Sequence, residues 1–69
     1  MEVNWVRGYI IKVEADCKEI TIQANKEGLI SLAQQLLELA KSCPGSHIHY
    51  DEYNSLEEGS TEMIIAKML

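Results

Sequence analysis

The chain has 69 residues and 7.8 kDa, 46% of them hydrophobic and 25% charged, with four Gly and one Pro. This composition excludes disorder, collagen-like repeats and low-complexity linkers, and the length holds one domain, residues 1–69. Eleven Asp and Glu against six Lys and Arg give a formal charge of −5 and a pI near 4.8, the wrong sign for a phosphate-binding surface, so DNA and RNA are excluded as partners and a basic one is favoured.

A domain of this size buries only about 60% of the surface its unfolded chain exposes, so its core is expected to be thin. No apolar run approaches a membrane span. Met1–Ile10 carries Glu2 and Arg7 among single apolar residues, unlike a secretory signal, so the expected location is cytoplasmic. Cys17 and Cys43 are too few for a disulfide framework and read as free thiols in a reducing compartment.

Val3–Val13 (VNWVRGYIIKV) is rich in β-branched and aromatic residues and reads as a strand with a bulge at Gly8. Lys18–Ala24 (KEITIQA) alternates strictly, with Ile20, Ile22 and Ala24 on one face. Pairing Val13 with Ile20, Ile11 with Ile22 and Tyr9 with Ala24 keeps the apolar residues together. A one-residue slip would set Lys12 against Ile22 and bury charge. This register puts the turn at Asp16–Cys17.

Asn25 is a helix cap, and the helix is expected from Lys26 to about Ser42. At 100° per residue, Leu29, Ile30, Leu32, Ala33, Leu36, Leu37, Leu39 and Ala40 share one half of the wheel. Glu27, Ser31, Gln34, Gln35, Glu38, Lys41 and Ser42 share the other. Pro44–Gly45 ends the helix, with Cys43 extending its apolar stripe.

Ser46–Tyr50 (SHIHY) reads as a third strand. Asp51–Ser60 is a polar connection in which Ser55–Leu56–Glu57–Glu58–Gly59 has the spacing of one capped helical turn. Thr61–Met68 is the fourth strand, with either Ile64, Ala66 and Met68 or Met63 and Ile65 facing the helix.

The order β-β-α-β-β predicts a two-layer α+β domain, a four-stranded antiparallel sheet with one helix on one face. The other face, with Val6 and Ile10 on it, is left bare and suits a docking partner. Trp5 is expected to pack at the sheet edge.

No phosphate loop, nucleophile elbow or Cys-x-x-Cys occurs, and the serines have cap, turn or helix-surface explanations. A Cys43–His47 thiolate pair is outweighed by a structural reading of the cysteine, so the chain is read as non-enzymatic and without cofactor. His47-x-His49-x-Asp51 would form one row on a strand. With Cys17 and Cys43 at the same end, His47 and His49 would supply a tetrahedral ligand set, the alternative of a small metal- or ligand-binding regulatory module, although the cysteines lack paired spacing. Asp51, Glu52, Glu57, Glu58 and Glu62 fall within twelve residues that include Tyr53 and no basic residue. A solvated loop explains such a run; so does a docking surface, in which tyrosine gives rigid contact area and carboxylates orient a basic partner. On the docking reading the partner-binding residues are His47, His49, Asp51, Glu52, Tyr53, Glu57 and Glu58. A third alternative is a homodimeric structural subunit joined through the open sheet face or an edge strand.

From Asn25 onward, Glu27-Gly28-Leu29 opens a leucine-rich helix, Ser46-His47-Ile48-His49-Tyr50-Asp51 follows, then Leu56-Glu57-Glu58-Gly59-Ser60 and a closing strand. In these ordered pieces the last two-thirds of the chain resembles immunity protein 32, a family of small bacterial antidotes in polymorphic toxin systems. The resemblance implies an α+β fold, no enzymatic activity and a cognate toxin as stoichiometric partner. Many such toxins are nucleases with basic channels, which an acidic protein could plug. The resemblance carries over no binding residues.

Overall fold

The computed structural model of the chain describes Met1–Leu69 and orders five elements as β1 (Ile11–Ala15), β2 (Ile20–Ala24), α1 (Lys26–Lys41), β3 (His47–Tyr50) and β4 (Met63–Ala66). The expected β-β-α-β-β order holds, but the single four-stranded sheet does not. β1 pairs only with β2 and β3 only with β4, in two separate antiparallel hairpins. Residues 57–61 join them. Glu57 N and Thr61 N donate to the carbonyls of Ile11 and Val13, and Val13 N donates to Ser60 Oγ. An irregular segment turning at Gly59 (φ +84°) therefore occupies the edge of β1 that a regular strand would have filled. No helix is long and apolar enough to cross a membrane.

The first strand is shorter than its composition suggests. Gly8 (φ +88°) makes a turn closed by Tyr9 N on Val6 O, and regular pairing starts only at Ile11. The hairpin register is Ile11–Ala24, Val13–Ile22 and Ala15–Ile20. It differs from the expected one by two residues, which preserves the faces and shifts the turn to Cys17–Lys18. Asp16 decides it: one carboxylate oxygen accepts from Lys18 N at 2.8 Å and Glu19 N at 2.9 Å. These two backbone donors, Lys18 first, hold the Asp16 pKa below its ordinary value. The carboxylate thus supports the turn above the usual Asp range, and that support is lost as pH falls through the lowered value.

Helix α1 is capped by Asn25, whose Oδ1 accepts from Gly28 N (2.8 Å) and Ile10 N (2.9 Å) while Nδ2 donates to Gly8 O. Lys67 closes the other end, donating to the carbonyls of Ala40 and Ser42 where the helix dipole is negative. The face turned inward is not the apolar half of the wheel. Gly28, Ser31, Leu32, Gln35 and Leu39 are buried, whereas Leu29, Ile30, Leu36 and Leu37 are exposed.

The N-terminal segment causes this rotation. Val6 N donates to Ser31 Oγ (2.8 Å), and Gln35 Nε2 donates to Asn4 O (2.7 Å). Gln35 Oε1 accepts from the fully buried Tyr50 hydroxyl at 2.7 Å. Trp5 stacks on Tyr9 and meets Tyr50 edge-on, so its packing role is as expected. The core is Ile11, Val13, Leu32, Leu39, Ile48, Tyr50 and Leu56. Met63 and Ile65 are the β4 residues that face it.

Two predictions test this packing. Gly28→Ala raises helix propensity by about 1 kcal/mol, yet an added Cβ would lie 2.6 Å from Ile10 O and 2.9 Å from Ile11 Cγ1. We expect net destabilisation of about 1 kcal/mol or more in urea unfolding. Tyr50→Phe leaves Gln35 Oε1 without its buried donor and is expected to cost about 1–3 kcal/mol. Burial raises the Tyr50 pKa, so the wild-type advantage is complete below the unfolded tyrosine value of about 10 and shrinks as pH rises beyond it. Urea unfolding at neutral pH and above pH 10 checks both the size and the sign.

Candidate functional site

β3 alternates strictly. Ile48 and Tyr50 are buried, while His47 and His49 project outward with ring centroids 4.9 Å apart. Across the ladder His47 lies opposite Ala66 and His49 opposite Ile64, which is 59% exposed. This outward face of the second hairpin is open and carries imidazoles beside one isoleucine. The bare face expected of a four-stranded sheet, with Val6 and Ile10 on it, does not form, and Val6 N instead donates to Ser31 on the helix. Beside the imidazoles, Val3, Trp5 and Asn54 complete a shallow recess with His47, Ile48 and His49.

The row stops at His49. Asp51 lies beyond the strand, and its Oδ1 accepts from Tyr53 N and Asn54 N, both at 2.9 Å. Its carbonyl accepts from Ser55 N and Leu56 N. This Asx-type turn precedes Ser55, and the capped helical turn expected at Ser55–Gly59 does not form, because Glu57 N and Gly59 N are taken by the Ile11 carbonyl and the Glu52 carboxylate while Leu56 is drawn into the core. The Asx-type turn lifts Tyr53 clear of the surface at 90% exposure.

Glu52 folds back so that its carboxylate accepts from Gly59 N at 2.9 Å. Glu57 and Glu58 are exposed on the turn before Gly59, and Lys12 Nζ donates to the carbonyl of Glu58, leaving that residue's carboxylate outward. The outcome is a ridge pinned at both ends by its own hydrogen bonds, with Tyr53 at one crest and Glu57–Glu58 at the other. Of the seven residues expected to contact a partner, Asp51 and Glu52 thus have structural work as well. His49, Tyr53, Glu57 and Glu58 present side chains without hydrogen bonds, and His47 is exposed with its Nδ1 3.3 Å from the Gly45 carbonyl.

The sulfur–imidazole cluster does not assemble. No three His, Cys, Asp or Glu side chains come together in a way that could hold a metal ion, so Cys17, Cys43, His47 and His49 are not a ligand set. Cys17 sits at the tip of the first hairpin, in a different sheet from the histidines. Cys43 is exposed after the helix end and does not extend a buried stripe.

Sequence reasoning missed a second surface, the outward leucines of α1. All eight apolar helix positions were expected to face a sheet, but their arc approaches half the wheel, wider than the stripe a single contact of this size covers. That excess width was the available signal.

The double role of Asp51 generates a test. Asp51→Asn keeps the accepting oxygen, whereas Asp51→Ala removes it. We expect Asp51→Ala to lower stability by about 1 kcal/mol and to speed amide exchange at Tyr53 and Asn54, with Asp51→Asn staying near wild type.

A family model described as Immunity protein 32 matches residues 19–68. No curated protein and no solved structure matches the chain.

Proposed function

The chain belongs to the immunity protein 32 family, and from that premise we propose that it is a non-enzymatic cytoplasmic antidote that binds a cognate toxin through the ridge Tyr53–Glu57–Glu58 and the adjoining face of His47 and His49. The family carries a toxin-neutralising role. The ridge supports this binding mode because it combines what an interface anchor needs: a rigid, exposed aromatic side chain on a turn fixed by Asp51, followed by the exposed carboxylates of Glu57 and Glu58, with Lys12 bound to the backbone carbonyl of Glu58. Glu52, Glu57, Glu58 and Glu62 concentrate negative charge on this side of a chain already at −5. Such a surface steers toward a basic face on the toxin, and a nuclease domain with a cationic substrate channel has one.

Neutralisation on this reading is steric and electrostatic. The antidote needs no bond-making group, and one copy blocks one toxin by covering the surface that the toxin's substrate would occupy. The single domain 1–69 acts as a unit, because Leu56 anchors the ridge directly in the core.

The reading predicts that Glu57→Lys with Glu58→Lys leaves the fold intact and slows association with the cognate toxin by about tenfold or more at low salt, with a smaller effect at high salt. Stopped-flow mixing or surface-based kinetics with the purified toxin checks this. An association rate unchanged at every salt concentration would remove the ridge from the mechanism.

A further inference from the structure

β2 has one paired edge and one open edge. The Asp16–Glu19 bond and the bond from Asn25 N to Ile10 O set the phase of the ladder. The backbone groups of Thr21 and Gln23 therefore point at β1, and those of Ile20 and Ile22 point away from it. The equivalent outward groups on β1, at Ile11 and Val13, are satisfied by residues 57–61. Nothing in the chain does the same for β2, the terminal strand of its sheet.

Edge strands are ordinarily guarded by lysine, proline, a bulge or a covering loop. Ile20-Thr21-Ile22-Gln23-Ala24 has no charge, no proline and regular pairing along its length. Its isoleucine side chains are 70% and 42% exposed.

The helix adds to this edge. Ser31 and Gln35 mark the flank of α1 held by the N-terminal segment, which runs beside β3. Leu29 and Leu36 lie on the opposite flank, and α1 follows directly from β2 through Asn25. Leu29, Ala33 and Leu36 are exposed on that flank, and Ile20 lines a recess with Val13, Ala15, Met63 and Ile64.

We propose that β2 is a self-association edge: two copies pair their β2 strands antiparallel about a two-fold axis at Ile22, forming a continuous four-stranded sheet with both helices on one side. The occupant is a second copy for three reasons. An antiparallel pair about Ile22 sets Ile22 against itself and Ile20 against Ala24 of the second copy, so the segment is complementary to itself. It is also neutral in a chain of charge −5. Glu57 and Glu58 lie on the segment that follows the far edge of β1, so pairing at β2 keeps these carboxylates of the two copies apart, with Glu62 alone of the acidic residues lining a recess shared with Ile20. Finally, the surface is sufficient in kind. A stable interface takes about 800 Å² per partner, roughly a sixth of the 5068 Å² the chain exposes. Strand addition would cover Ile20 and Ile22, 70% and 42% exposed, and the exposed Leu29 and Leu36 are the apolar helix residues available to extend the contact.

Size-exclusion chromatography with light scattering on the full chain tests the proposal, and it needs no toxin, so its failure is separate from failure of the functional reading. The expected result is a concentration-dependent mass of twice 7.8 kDa. The amides of Ile20 and Ile22 should exchange at least tenfold more slowly at high than at low protein concentration. Ile22→Lys should give a monomer with unaltered circular dichroism. Leu36→Glu, outside the strand, should weaken the dimer at least tenfold, which keeps the test open if the strand variant does not fold. A wild-type monomer at millimolar concentration, or a dimer that survives both substitutions, overturns the proposal. So does a monomer whose Ile20 and Ile22 amides become protected only when toxin is added, which would make β2 a docking strand for the toxin.

Discussion

The fold turns on one buried amide. Gln35 sits on the inward face of a helix whose sequence offers leucine in abundance, and its side chain is held from both sides, by the Tyr50 hydroxyl and by the carbonyl of Asn4. A buried amide without partners would be costly, whereas one with both ends satisfied fixes orientation as well as contact. Ser31, one turn earlier, repeats the arrangement with Val6 N and Glu27 O. Together they set the rotation of α1 about its own axis, and they hold the N-terminal segment so that Trp5 and Tyr9 pack against the core. Leucines that would otherwise have turned inward are left facing water.

This exchange of apolar burial for polar specificity leaves a thin core, seven residues drawn from every layer. The two hairpins share no strand-to-strand ladder. Their continuity comes from residues 57–61 along β1 and from Leu56 beneath them, so the segment richest in carboxylates is also the joint between the halves. An acidic surface stretch is often loose. Here Asp51, Glu52 and Lys12 each fix part of its backbone, so charge is presented on a rigid frame, and a rigid frame loses less entropy when a partner binds.

Charge and apolar surface are consequently separated across the molecule. The ridge adjoins one edge of β1, and the uncharged edge of β2 lies beyond the other. On the two proposals made above, the basic partner and the second copy are assigned to different edges of the first hairpin. The family match begins at residue 19 and so includes β2, the helix and the ridge. β1 and the N-terminal segment, which supply Ile11, Val13 and Trp5 to the core, lie outside it.

Local chemistry alone determined much of this. Asn25 as cap, the helix span, the outward pairing of His47 with His49, the faces of the first hairpin and the acidic character of residues 51–62 all follow from neighbours a few positions apart, where period and capping act directly. The family resemblance was legible for the same reason, as short ordered pieces. Tertiary structure alone decided what depends on distant partners. Ser31 and Gln35 are polar on any helical wheel and become interior only because backbone groups from residues 4–6 arrive to satisfy them. The intended four-stranded sheet splits because residues 57–61 reach the edge of β1 before a regular strand can form. Cys17 stays apart from the histidines because the two hairpins occupy separate sheets. A sequence states which groups seek burial or a hydrogen-bond partner; which of them meet is settled by the packing of segments far apart in the chain.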